Sequence, residues 1–298
     1  MHAFKIVGLG VFGTVLLANG SPPRERVVDV ADPVVTISIE GQQVDMELTP
    51  EVPVSLVLSP ATADRLGLKG SLFSGVHYVG HTKVHADSNS VKVAFGDEKP
   101  TRERGFFIRD HEWTSPYVGT LNPMAVPEPV VTFRLREPVS DERIIRLPMF
   151  ETSLGGYHAR LRVGDAFVPA FFSLGRGETM LTAAAGKMVS DEYGGRMAGE
   201  TYPLHIRYGI ERPVRRVAFD RAPSLGALVL TNIVVRTQDT GSVAGIKEEG
   251  DDPNEILVTA KDKKAAVTMT VGLDALEPCS SLTFDRIAKE IRLSCRPV

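Results

Sequence analysis

Cysteine is almost missing from this chain, with only Cys279 and Cys295 present, and tryptophan occurs once, at Trp113. Two cysteines cannot build a four-cysteine zinc centre, so a structural metal framework of that kind is excluded and no cofactor is expected. An excess of charge is missing too: 34 basic against 37 acidic residues leave a net -3, with no basic surplus to meet a phosphate backbone. A nucleic-acid partner is therefore not expected. After the first 20 residues, no apolar run approaches the about 20 residues that a membrane-spanning helix needs. Turn formers are plentiful, with 20 prolines and 27 glycines spread along 298 residues. That distribution favours many short strands over long helices, so the expected class is all-β, in two modest lobes or one large domain.

The first stretch, Lys5 to Pro23, contains Gly8, Gly10 and Gly13 in the G-x-G-x-x-G spacing of a dinucleotide loop. The context excludes that reading. Too little chain precedes Gly8 for a buried strand, and Gly20, Ser21, Pro22 and Pro23 stop any helix after about ten residues. Lys5 followed by the uncharged run Ile6 to Leu17 and by Ala18-Asn19-Gly20 instead has the form of an export signal, cleaved to start the mature chain near Ser21. Residues 1–20 are thus expected to be a signal peptide, followed by a polar leader at 21–32.

The two cysteines bracket "CSSLTFDRIAKEIRLSC", whose midpoint is Ile287. A hairpin about that centre pairs Phe284 with Glu290 and sets the cysteines opposite each other. Cross-strand Cβ atoms lie about 4.5 to 5.5 Å apart, so a small adjustment closes a disulfide. An exported chain meets a compartment that preserves one.

Two stretches share a pattern. "PVVTISIEGQQVDMELTPEVPVSLVLSPATADRLGLKG" and "YHARLRVGDAFVPAFFSLGRGETMLTAAAGKMVSDEYGG" each run strand, glycine turn (Gly41, Gly164), strand, polar loop, apolar strand and alanine-bearing helix. Aligned on those glycines, they match without a gap to Leu58 and Leu181. The expectation is a duplicated fold, with lobes at 33–138 and 155–298 and a linker at 139–154.

This pattern, with the closing segment "VGLDALEPCSSLTFDRIAKEIRL", resembles the aspartic peptidase superfamily, in particular retropepsin-like proteins of bacteria and the two-lobed pepsin-like enzymes. The resemblance spans nearly the whole mature chain. It implies two β-barrel lobes, an inter-lobe cleft for extended peptide, a flap hairpin over it, and one catalytic aspartate per lobe sharing a proton. Counting from the glycine turn puts the first aspartate at Thr49, and counting back from "SLVLS" puts it at Pro50. In the second lobe the same counts give Phe172 and Ser173. None is acidic, so no catalytic residue is assigned. Gly175 keeps the motif's loop glycine, whereas Val52 replaces it in the first lobe. The candidate cleft residues are Thr49, Glu51, Ser173 and Gly175. Neither Thr49 nor Ser173 has a nearby histidine to act as its base, so nucleophilic catalysis is not expected.

His77, His81 and His85 recur every four residues, but Val76, Tyr78, Val79, Thr82 and Val84 favour a strand, on which four residues span about 13 Å. That is too far for one ion, and no metal site is expected. The segment falls where the family has its flap, which makes Tyr78 and His81 flap candidates. The acidic run Lys247 to Glu255 and the short basic patches "RPVRR" and "KDKK" read as solvated loops, and Trp113 as packing.

The resulting expectation is an exported, periplasmic or extracellular monomer that binds a peptide or protein partner without cutting it. It has no membrane span once the signal is removed. Two alternatives remain: an active endopeptidase with relocated carboxylates such as Glu47 or Glu51, and a structural envelope protein with a filled cleft.

Overall fold

The computed structural model describes residues 24–52, 54–70, 74–79, 81–152, 156–239, 242–244, 246–248 and 265–297. The expected export signal, the "KDKK" patch and most of the acidic run lie outside them. The fold is all-β. Three larger sheets and a two-stranded ribbon account for the architecture, with helices at Pro60–Arg65, Ala183–Tyr193 and Leu273–Leu276 among the described residues.

Each lobe begins with an alternating hairpin. Val34–Ile39 pairs antiparallel with Gln42–Leu48, and Tyr157–Val163 with Ala166–Phe172. Val35, Ile37, Val44 and Met46 all point into the core, as period-2 alternation requires. In the first hairpin the turn residues are Glu40 and Gly41, both with positive φ, the twist that two-residue turns favour. In the second, the turn is Gly164-Asp165. Gly41 is thus the second turn residue and Gly164 the first, which puts the ungapped alignment one residue out of register across the hairpins.

The offset is cancelled further on. Leu56–Leu58 lies between Gly119–Leu121, antiparallel, and Thr101–Ile108, parallel. Thr179–Leu181 lies in the same way between Met269–Val271 and Ile233–Arg236. Each then enters a capped helix: Ser59 Oγ accepts from Thr62 N at 3.1 Å, and Thr182 Oγ1 from Ala185 N at 3.4 Å. Leu58 and Leu181 are therefore equivalent, and the first lobe carries one extra residue in the loop before this strand.

The segments expected as leader and linker contribute strands to the third sheet. Its order is Glu25–Asp29, Val130–Arg134, Cys279–Asp285, Glu290–Cys295, Arg143–Pro148. Glu25–Asp29 pairs parallel with Val130–Arg134, and Arg143–Pro148 pairs antiparallel with Glu290–Cys295. Both segments look polar because they edge a sheet with one wet face. Val27 and Ile144 are about half exposed while Val28 and Leu147 are buried. Arg26 forks onto Glu128 through Nε and Nη2 at 2.8 and 2.6 Å. Glu142 accepts from Ser294 Oγ at 2.8 Å.

At the junction of the sheets, Phe284 collects Phe133 and Phe172 edge-on and Tyr157 stacked, with centroids 6.1 to 6.3 Å away. The closing hairpin runs Phe284 opposite Ile291 and Leu282 opposite Leu293, one residue from the expected register. A bulge between Cys279 and Ser281 restores the cysteine pairing, and Cys279 and Cys295 form the disulfide. It closes a 16-residue interval, for which loop entropy gives about 3 kcal/mol. Cys279→Ala with Cys295→Ala should lower the unfolding free energy by about that amount, and reductant should bring the native chain to the same urea midpoint. A reductant-insensitive native midpoint would contradict the assignment of this stability to the disulfide.

Candidate functional site

Where the first hairpin of each lobe ends, the chain turns toward the other lobe. Thr49 N donates to Leu121 O at 2.8 Å, and Ser173 N to Val271 O at 2.9 Å. Thr49 Oγ1 accepts from Glu51 N, and Ser173 Oγ from Gly175 N, each at 3.3 Å. Thr49 and Ser173 are therefore equivalent. Of the paired alternatives, Pro50 lies one residue beyond this position, and Phe172 is a core side chain packed on Phe284. The counterpart of Gly175 is Glu51, not Val52, which corrects the sequence alignment of this loop.

Glu51 has a consequence for both lobes. Its carboxylate pairs with the Nη2 of Arg176, the residue that follows Gly175. A Cβ on Gly175 would stand 3.4 Å from Glu51 Oε2, so the two loops are in contact. Arg176 is 9% exposed. It also donates from Nε to Ser173 Oγ at 3.3 Å and from Nη2 to Ile206 O at 3.0 Å. A buried guanidinium needs this density of acceptors to offset its lost hydration. The middle of the inter-lobe space thus holds two hydroxyls and one ion pair. Thr49 and Ser173 are committed to loop backbone, and the ion pair joins one lobe to the other.

The sequence reading missed the hairpin Gly195–Arg207 with Ile210–Phe219. Its turn residues Tyr208 and Gly209 both have positive φ, and the alternation in "HIRYGIERPV" was the available signal. Ile206, Ile210 and Val214 are buried in an apolar cluster with Val52, Val57, Val79 and Val84 of the first lobe. Arg212, assigned above to a solvated basic patch, donates from Nε and Nη2 to Val79 O at 3.1 and 2.5 Å and also bonds Thr82. Arg212 is therefore a tie between hairpins, whereas Arg216 is exposed. Val79 and Thr82 end the strands Ser74–Val79 and Thr82–Ala94, so the second-lobe hairpin fastens to the tip of the first-lobe one.

Beside Arg176 a cavity of about 290 Å³ remains, lined in part by Glu47, Thr49, Glu51, Gly175, Trp113 and Tyr208. Ser173, with no exposure, is behind its wall. In the hairpin Ser74–Val79 with Thr82–Ala94, Tyr78 pairs with Lys83, and His81 is exposed at the turn. His81 does not line this cavity. Trp113 donates Nε1 to Tyr117 O at 2.6 Å and lies 6.4 Å from the Tyr208 ring.

Glu47 accepts from Ser115 Oγ at 3.1 Å. Burial raises its pKa, the Ser115 bond opposes this, and the charge on Glu51 adds to the rise. The folded chain then holds this proton more tightly than the unfolded chain, so stability falls as pH climbs from the unfolded to the folded pKa. Glu47→Gln removes that loss. Its stability relative to the native chain should be greater at about pH 7 than at about pH 4, by urea titration at both. A difference independent of pH would rule out a titrating Glu47.

No family model matches this chain, and no curated protein matches it. Among solved structures, EIAV protease in complex with an inhibitor aligns over 30% of this chain and 80% of its own, at 20% identity and a TM-score of 0.24.

Proposed function

We propose that this protein is an exported, aspartic-peptidase-like protein without peptidase chemistry, which holds an extended peptide in the open part of its inter-lobe cleft. The observation that carries the reading is the replacement at the centre. Two equivalent loop positions bear Thr49 and Ser173, and Arg176 of one lobe is paired with Glu51 of the other. A shared-proton dyad needs two carboxylates a few ångströms apart, one for base and one for acid. A hydroxyl pair tied to backbone supplies neither. The cavity beside it combines aromatic walls, Trp113 and Tyr208, with the charged groups of Glu47 and Arg207. Such a mixture suits a peptide side chain with its flanking backbone. The disulfide favours an oxidising compartment, which supports export. No described helix is long and apolar enough to cross a membrane.

A second reading has one observation in its favour: Glu47, with its raised pKa, shares the cavity with Glu51. A relocated acid pair would use both. Against it, both belong to the first lobe, and Glu51 is already paired with the Arg176 guanidinium.

The test incubates the chain from Ser21 onward with denatured protein from about pH 3 to 8, reading new termini and retained peptides by mass spectrometry. The proposal expects retained peptides and no new termini, with a change in Trp113 fluorescence on binding. Termini that vanish in Glu47→Gln would establish the relocated acid. A chain that neither cuts nor retains peptide would instead be the structural protein with a filled cleft.

A further inference from the structure

A second cavity, about 170 Å³, adjoins the first and shares Glu51, Ile206 and Arg207 with it. Its apolar wall includes Phe171 and Met180, and its polar wall Arg207, Arg236 and Thr270. Arg236 is 8% exposed. Its Nη2 meets Asp239 at 2.7 Å, yet its Nε is buried without a hydrogen-bond acceptor, as is Arg207 Nη1. Arg207 Nη2 donates to Glu51 O at 3.2 Å. The surroundings are strongly cationic. Burial lowers the pKa of Arg236, Asp239 opposes the fall, and the charges of Arg212, Arg207 and Arg176 deepen it. Among the described residues, Glu51 is paired with Arg176 and Asp239 with Arg236, and both Asp239 carboxylate oxygens are buried without a hydrogen bond of their own.

Buried N–H groups without acceptors are costly, and an unbalanced group of guanidiniums repels itself. An anion placed between Arg207 and Arg236 relieves both. A water occupies about 30 Å³ in the liquid, so the cavity has room for a group of a few heavy atoms. A planar carboxylate matches the forked geometry of guanidinium donors. We propose that this second cavity is an oxyanion pocket that receives a carboxylate of the bound peptide, either its C-terminal group or an acidic side chain. The assignment rests on the peptide-binding reading above. The peptide backbone lies along the first cavity and passes Ile206, while Phe171 and Met180 contact its last apolar atoms.

The experiment passes a random hexapeptide library, as free acids and as C-terminal amides, over the immobilised chain, with retained peptides identified by mass spectrometry. Free acids, or amides carrying Asp or Glu, should be enriched about tenfold or more over amides without an acid, because charge-assisted bonds are lost from the latter. The free-acid and acidic-amide arms separate the two sources of carboxylate. Arg207→Gln should abolish the enrichment, and Arg207→Lys, which keeps the charge, should retain part of it. A parallel titration with inorganic phosphate follows the arginine Nε–H signals by NMR, where Arg236 should shift in the native chain. Retention of acidic and neutral peptides alike would overturn the pocket while leaving the cleft reading intact. Phosphate shifts without any retained peptide would overturn the peptide as the source of the anion. No retention and no shift would overturn both.

Discussion

Arg176→Met is expected to destabilise the fold by about 3–5 kcal/mol, the range for removing one partner of a buried ion pair. In a chain of this size that is a fall in Tm on the order of 10 °C. The cost has an identifiable origin. Methionine fills much of the volume but leaves the partly buried Glu51 carboxylate without its cation, removes the Arg176 bond to Ile206 O and leaves Ser173 Oγ with Gly175 N alone. The double variant Arg176→Met with Glu51→Leu should recover most of the loss, because an apolar pair of similar size often replaces a buried ion pair without penalty. Thermal unfolding of the single and double variants checks both statements. A single variant within about 1 kcal/mol of the native chain would mean that the ion pair does not hold the lobes together.

Gly272→Ala should be more damaging still. A Cβ on Gly272 would stand 2.2 Å from both Gly177 O and Glu178 O, and these are backbone atoms that cannot rotate away. The same loop is held by Leu273 N to Arg176 O at 2.9 Å and by Asp274 N to Gly177 O at 3.0 Å. Making room for the methyl group therefore breaks these bonds and displaces Arg176 from Glu51. The expected cost is about 4 kcal/mol or more, beyond the ordinary range of single substitutions. Gly199→Ala is the control. Gly199 has open space for a Cβ but a φ of +65°, so the backbone penalty alone, about 1–2 kcal/mol, applies. If the two variants unfold at similar urea concentrations, close packing at Gly272 is not what positions the Arg176 loop.

Legibility from sequence varied with the range of the interaction. The all-β class could be read from the spread of prolines and glycines, the starting hairpins from strand runs about Gly41 and Gly164, and the disulfide from the symmetry about Ile287. The absence of an acid at 49, 50, 172 and 173 was equally plain. Which of those positions correspond was not, because Gly41 and Gly164 occupy different places in their turns. A one-residue slip moves a side chain to the opposite face of a strand, so the uncertainty between Phe172 and Ser173 was one between core and cleft edge. The edge strands Glu25–Asp29 and Arg143–Pro148 were hidden for a related reason: half of each is wet, and their partners lie more than a hundred residues away.

The sequence by itself determined the local structure of this protein: strands by period-2 burial, turns by glycine and proline, a cystine by two facing cysteines, and the lack of an acid at 49, 50, 172 and 173. Only the tertiary structure decided what occupies that centre. Arg176 and Glu51 are 125 positions apart, and Arg212 reaches the carbonyl of Val79 across 133. Each is an ordinary charged residue in its own neighbourhood. Long-range pairing is set by how the two lobes bury their apolar faces against each other, and a buried charge can be identified as structural only once the partner that neutralises it is in place.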